Sequence, residues 1–240
     1  MLSSFAATLN RTLKQSSQCD FCLQSKAVNL ACCEHCARLL LGQAHPRCER
    51  CFLALAEPGI CGECQQQELY FDHIFCLGDY QWPLSPVIKT YKYAKQAHLA
   101  KPLSQLLWQQ IERQPMARPD ALCSVPMHWL KRWRRGFNQS ELLCQQVAAL
   151  SGLPYQTVLS RPHAGSNQAT LNRTQRQRSL TSSFSCKIRN IQPHWALIDD
   201  VVTTGSTANV LAKLLKQAGA QQVDIWALAR TPKPNSSSQA

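Results

Sequence analysis

The stretch Trp195-Ala196-Leu197-Ile198-Asp199-Asp200-Val201-Val202-Thr203-Thr204-Gly205-Ser206-Thr207 decides the fold. Its first four residues read as a buried strand, and the following Val210, Leu211, Leu214 and Leu215 recur at helical spacing. Gly219 suits the end of that helix, and Val223 to Ala229 reads as a returning strand. A strand, loop, helix and strand in this order make a parallel unit whose crevice opens at the carboxyl ends of its strands. The acid pair Asp199 and Asp200 falls at that crevice.

Two recognition chemistries meet there. The backbone N–H groups of Thr203 to Thr207 at a helix start converge on one anion, and Gly205 lets the backbone come close. The hydroxyls of Thr203, Thr204, Ser206 and Thr207 add donors, while Asp199 and Asp200 accept from the adjacent hydroxyls of a ribose ring. The pattern predicts a cradle for a ribose 5-phosphate group from Ile198 to Thr207. A plain turn capped by two acids is the simpler alternative. The full order of strand, paired acids, apolar pair and Thr-Thr-Gly-Ser-Thr is far more specific than a lone glycine, and no Walker lysine or Gly-x-Gly-x-x-Gly competes with it.

Working outward, apolar strands and amphipathic helices alternate from Leu69 onward, which predicts an α/β domain with a mainly parallel sheet and flanking helices. Ser85-Pro86 starts a helix carrying Val87, Ile88 and Tyr91, and Leu103, Leu106, Leu107 and Ile111 mark another. Ala121 to Val125 and Tyr155 to Leu159 read as strands. Asn138-Gln139-Ser140-Glu141 has the form of a capping box ahead of Leu142, Leu143, Val147 and Leu150, with Gly152 at the helix end. Residues 160–184 are polar and basic with weak periodicity, as expected of a long loop or hood, and residues 232–240 read as a disordered tail.

Nine of the thirteen cysteines lie between Cys19 and Cys64. Cys19-x2-Cys22 with Cys33-x2-Cys36, and Cys48-x2-Cys51 with Cys61-x2-Cys64, give two sets of four sulfurs, each suited to one closed, structural tetrahedral zinc. Iron in a four-sulfur site, pairing of alternate turns, and Cys32 in place of Cys33 remain open to the same spacing, whereas His35 and His45 read as bystanders. The expected organisation is an N-terminal helix and cysteine-rich zinc module over residues 1–67, an α/β domain over 68–231, and the tail.

The formal charge is +12, falling to about +8 once eight thiolates and two zinc ions are counted. The excess is local: residues 130–180 hold Lys131, Arg132, Arg134, Arg135, Arg161, Arg173, Arg176 and Arg178 against Glu141, which predicts polyanionic partners. The opening residues lack the charged and apolar regions of a signal peptide, and Leu2, Phe5, Leu9 and Leu13 make a packing face, so a cytoplasmic location is expected. No stretch approaches the ~18 apolar residues of a membrane span.

The segment from Ile198 to Thr207 resembles the phosphoribosyl pyrophosphate motif of type I phosphoribosyltransferases. That resemblance implies that Asp199 and Asp200 bind ribose hydroxyls, that Thr203, Thr204, Gly205, Ser206 and Thr207 bind the 5-phosphate, and that magnesium accompanies the diphosphate ester. End to end, the chain resembles the ComF/GntX family of competence and DNA-utilisation proteins, which join zinc-ribbon cysteines to a phosphoribosyltransferase-like domain. Beside the cysteine pairs and the loop, the matching features are Val125-Pro126, Arg135-Gly136-Phe137-Asn138-Gln139, Gln168-x2-Leu171, Arg176, Phe184 and Leu228-Ala229-Arg230-Thr231. The resemblance places Lys131 and Arg135 where the fold meets pyrophosphate. Lys131 stands where arginine is expected and Ser179 where asparagine is common; the lysine loses the planar two-point phosphate grip of an arginine.

Two functions follow from this reading. One is a phosphoribosyltransferase acting on an unidentified acceptor, with Arg135, Lys131 and Arg176 steadying the departing diphosphate. The other is a catalytically inactive, phosphoribosyl-regulated accessory protein that contacts single-stranded DNA, or docks a DNA-uptake helicase or other competence protein. Trp129, Lys131, Arg132, Trp133, Arg134, Arg135 and Phe137 interleave rings and cations as single-strand binding favours. The same loop equally suits a pyrophosphate receptor whose aromatic rings pack on the cysteine module.

Overall fold

The computed structural model describes residues 19, 21–22, 33–41, 46–93, 96–162, 182–189 and 191–233. The N-terminal packing face, Cys32, His45, the Gln168-x2-Leu171 motif, Arg173, Arg176, Arg178, Ser179 and most of the 232–240 tail lie outside them.

Four parallel strands form the central sheet in the order β1-β6-β5-β2, where β1 is His73–Asp79, β2 Ala121–Ser124, β5 His194–Val202 and β6 Gln222–Arg230. Parallel pairing calls for cover on both faces, and the side-chain alternation along each strand supplies two apolar surfaces. Ala196, Ile198, Trp226 and Leu228 turn to one face, with buried residues of helices α3 (Leu84–Tyr93), α4 (Ala100–Glu112) and α6 (Gln139–Ser151). Trp195, Leu197, Ile225 and Ala227 turn to the other, with α7 (Ser206–Gln217). The cysteines join the same two clusters: Cys19, Cys33 and Cys36, with Leu40 of the short helix α1 (Glu34–Leu41), lie in the first, and Cys48, Cys51, Cys61 and Cys64 in the second. Cys61 and Cys64 bracket the start of the one-turn helix α2 (Gly62–Gln66).

Local expectations meet several corrections. The strand expected from Trp195 to Ile198 runs through the acid pair to Val202, because both neighbours β2 and β6 pair with it and hold its backbone extended. The strand expected over Tyr155 to Leu159 reduces to one bridge, Leu122 to Tyr155, before the two-residue β3 (Leu159–Ser160). That strand pairs antiparallel with β4 (Ser185–Cys186), so the two ends of the expected hood are tied together. The basic aromatic segment read as a loop holds a helix, α5 (Trp129–Arg135), capped by the His128 side chain and closed by Gly136 in the left-handed region. Asn138 makes no side-chain cap to α6; its Nδ2 donates to the Val125 carbonyl at 3.1 Å and ties α6 to the end of β2. Gly152 ends α6 at φ 71°, as expected.

Candidate functional site

At the carboxyl end of the sheet, β5 delivers Asp199 and Asp200 and then turns at Gly205, whose φ of 80° is a conformation that a side chain would strain. Helix α7 begins at the next residue, so its first N–H groups open toward the same end as the acids. Thr203, Thr204 and Ser206 are exposed, with Thr207 half-buried. The Thr204 and Ser206 hydroxyls lie 2.8 Å apart, and Ser206 N–H donates to Thr204 Oγ1 at 3.3 Å. The loop thus presents hydroxyls and a helix start side by side, as the spacing predicted.

The two acids are held differently. Ser140 Oγ, at the start of α6, donates to Asp199 Oδ1 at 2.9 Å, and Asp200 N–H donates to the same oxygen at 2.8 Å. Burial first, and then the neighbouring Asp200 charge, push the Asp199 carboxyl up to about 7, against the opposing pull of those donors and of Lys92. Asp200 is paired with Lys92, Nζ to Oδ1 at 2.9 Å. The Lys92 ammonium also lies 5.9 Å from the centre of the Tyr80 ring. An open cleft of about 530 Å³, lined by Tyr80, Lys89, Thr90 and Tyr93, adjoins this corner.

Gln139 connects the parts. Fully buried, it donates to the Lys92 carbonyl at 3.3 Å, accepts from Arg135 Nη1 at 3.2 Å, and accepts the Tyr91 hydroxyl on its own carbonyl at 2.8 Å. Arg135 also lies over the Tyr93 ring, 5.1 Å from its centre. Lys131 stands in a field of cations: burial, then Arg161 and Arg135, lower its pKa. The structure therefore gathers Lys131 and Arg135 with Arg161, and links Arg135 through Gln139 to the residues beside the acids.

Lys92, Ser140 and Gln139 were not singled out as site residues from sequence. A signal for Lys92 was present: Leu84, Ile88 and Lys92 follow one i, i+4 row, so the lysine continues the apolar stripe of α3 instead of its solvent face. Ser140 sat inside an apparent capping box and so was absorbed by the wrong local role.

The cysteines form two sequential tetrads, Cys19, Cys22, Cys33 and Cys36, and Cys48, Cys51, Cys61 and Cys64, with the ligand atoms of each within 4.8 Å of one another. Cys33 takes its expected place, and alternate turns do not interleave. A Zn–S bond of about 2.3 Å implies tetrahedral S···S edges of about 3.8 Å. The Cys22–Cys33, Cys51–Cys61 and Cys48–Cys64 edges are 3.8, 3.6 and 3.9 Å. Backbone N–H groups of Cys33 and Cys61 donate to Cys19 and Cys48 sulfur at 3.2 and 3.3 Å, and at Cys48 such donors, working against burial, lower the thiol pKa. Burial and the adjacent sulfurs meanwhile push the Cys36 and Cys64 thiols up, a conflict that a bound divalent cation resolves. Both sets fit a structural metal. Arg230 ties the second tetrad to the site end of β5: Nε donates to the Cys51 carbonyl at 3.1 Å and Nη1 to the Val202 carbonyl at 3.2 Å. Among the described residues no helix is long and apolar enough to cross a membrane.

Comparison with known proteins adds relatives over most of the chain. It is 36% identical over 208 residues to the DNA utilization protein YhgH of Salmonella typhimurium, covering 83% of this chain and 90% of that protein. The Escherichia coli protein of that name is 34% identical over 190 residues, 77% of this chain and 84% of the relative. Competence protein F of Haemophilus influenzae is 34% identical over 178 residues, with coverage of 71% and 78%. No family model matches. Among solved structures, the glutamine phosphoribosylpyrophosphate amidotransferase from B. subtilis, complexed with ADP and GMP, overlaps 57% of this chain and 30% of its own, at 18% identity and a TM-score of 0.40. An allosteric regulatory enzyme of purine biosynthesis overlaps 58% and 30%, at 17% identity and a TM-score of 0.39. Likeness at that level carries no argument about this chain.

Proposed function

Because this chain belongs to the ComF/GntX family of competence and DNA-utilisation proteins, we propose that it is a phosphoribosyltransferase-like protein that binds phosphoribosyl pyrophosphate at the carboxyl end of its sheet. The observation that carries this reading is the junction itself: two carboxylates at the end of β5, a left-handed glycine, and a hydroxyl-lined start of α7. On this reading Asp199 and Asp200 accept from the ribose diol, while Thr203 to Thr207 donate to the 5-phosphate.

Arg135 and Lys131 face the diphosphate. An incoming nucleophile attacks the anomeric carbon, and the bond to the diphosphate breaks with its electron pair on the leaving group, whose charge the two cations hold. The described residues group no third set of metal-binding side chains beside the tetrads, so a magnesium ion would share the ligand's own oxygens; bound there, it offsets diphosphate charge. The zinc ions serve folding and stand apart from this chemistry.

A second reading, contact with single-stranded DNA, draws on α5. None of its residues is buried, and Trp129 and Trp133 are 64% and 80% exposed among four cations, so they are not packed on the cysteine tetrads. Rings and cations displayed together suit stacking and phosphate contact.

One set of measurements tests both. Protein, magnesium and phosphoribosyl pyrophosphate are incubated with candidate acceptors, and pyrophosphate release is compared with an Asp199→Asn/Asp200→Asn variant. Release should fall by about 100-fold or more in the variant; equal release removes the assigned site. A labelled oligonucleotide titrated across salt should bind more weakly as salt rises, and more weakly still to a Trp129→Ala/Trp133→Ala variant. No binding at low salt removes the second reading.

A further inference from the structure

The strongest unassigned feature of the molecule is the Lys92–Asp200 pair. Both side chains are largely buried, at 14% and 13% exposure, and their 2.9 Å separation is that of a charge-assisted hydrogen bond. A pair so shielded from water is costly to break unless each charge finds a new partner. Any sugar diol that accepts Asp200 as its hydrogen-bond partner competes directly with the Lys92 ammonium. The backbone of Lys92 does not move freely, because Gln139 holds its carbonyl and Tyr91 beside it is buried and bonded to the Gln139 carbonyl. The four-carbon stem and its point charge are therefore what reorients.

We propose that Lys92 is a specificity residue that senses an anion on the anomeric carbon: it neutralises Asp200 in the free protein and passes to that anion when a diol takes the carboxylate. This rests on the phosphoribosyl reading above. The chemistry follows from connectivity in the ligand, since the anomeric carbon is bonded to a carbon carrying one of the diol hydroxyls. A diphosphate there lies beside the displaced ammonium, and the charge that left Asp200 is matched again. With a plain hydroxyl at that carbon, as in ribose 5-phosphate, the released ammonium meets no anion and the cost of breaking the pair is not recovered. The Tyr80 ring face, 5.9 Å from Nζ, keeps the ammonium at this corner during the exchange. Lys92 thus favours the diphosphate ester over the simple phosphosugar, a selection that Arg135 and Lys131 reinforce without touching either acid.

The test is isothermal titration of the zinc-loaded full chain, in magnesium, with phosphoribosyl pyrophosphate and separately with ribose 5-phosphate. Wild type is compared with Lys92→Met and Lys92→Arg. In the Met variant, affinity for the diphosphate ester should fall about tenfold or more, while ribose 5-phosphate binds as well as before or better. Lys92→Arg should restore part of the preference. Equal loss for both ligands, or an unchanged ratio, would overturn the proposal and reduce Lys92 to a structural counter-charge. Should Lys92→Met fail to fold, as read by thermal melting and zinc content, Lys92→Gln carries the same expected ratio. If wild type binds neither ligand, the phosphoribosyl reading itself fails and the proposal falls with it; if wild type binds both and the variants keep its ratio, only the role of Lys92 falls.

Discussion

Acids stand at both ends of the sheet, and the two ends are built to opposite rules. At the amino end, Asp224 of β6 is fully buried. Its Oδ1 lies 3.0 Å from His73 Nδ1, and its Oδ2 lies 2.7 Å from His194 Nε2 and 3.0 Å from Gln222 Nε2. The partners come from the starts of β1 and β5 and from β6 itself, so both carboxylate oxygens are satisfied by neighbours in register. At the carboxyl end Asp199 takes the Ser140 hydroxyl and Asp200 takes Lys92, and burial, then the Asp200 charge, pushes the Asp199 carboxyl up to about 7. A saturated acid locks strands together. Among the described residues the acid pair is supplied by one lysine, one serine and one backbone N–H, and the proposed site uses the acceptor capacity left over.

Substitutions should separate the two ends. The largest effect on stability is expected from Asp224→Ala, which removes the acceptor of His73, His194 and Gln222 and strands the largely buried His194; denaturant unfolding should show a loss of about 3 kcal/mol, with ribose 5-phosphate titration unchanged. A loss below ~1 kcal/mol would break the contrast.

Asp199→Asn should act in the other direction. The folded carboxyl titrates at about 7 against an ordinary 3.8, so the folded state holds a proton that the unfolded chain has released. This contribution is fully present below about pH 4 and is lost as pH rises to about 7. Melting between pH 4 and 8 should show the wild type losing stability across that window relative to the variant, with the variant ahead by about 1 kcal/mol or more at pH 8. A parallel fall in both proteins would show that the buried charge is not strained. The smallest effect belongs to His73→Gln, since His73 is 46% exposed and water can replace it; a cost under ~1 kcal/mol is expected in the same unfolding assay.

Much of the fold was legible because its signals are local. Paired Cys-x2-Cys turns need only the right spacing to place four sulfurs together, and the tetrads follow it. The strand, acid pair, glycine and helix from Trp195 to Leu215 are one continuous instruction, so the junction was readable in place. Less legible were elements whose form depends on partners. The run of β5 through its acids comes from pairing with β2 and β6, and the α5 helix lies in a segment too basic and aromatic to show an amphipathic period. Asn138 illustrates the same limit: its neighbours fit a capping box, yet the Val125 carbonyl, thirteen positions earlier, claims its side chain.

By itself the sequence determined which residues are chemically able to act: eight cysteines at metal spacing, two adjacent carboxylates, hydroxyls around a glycine, and a basic aromatic run. Tertiary structure alone decided who stands beside whom, bringing Lys92 to Asp200 from α3, Ser140 to Asp199 from α6, and each cysteine tetrad onto its own face of the sheet. The physical reason is that periodicity encodes the face a residue turns, whereas contacts between distant segments exist only after the helices pack.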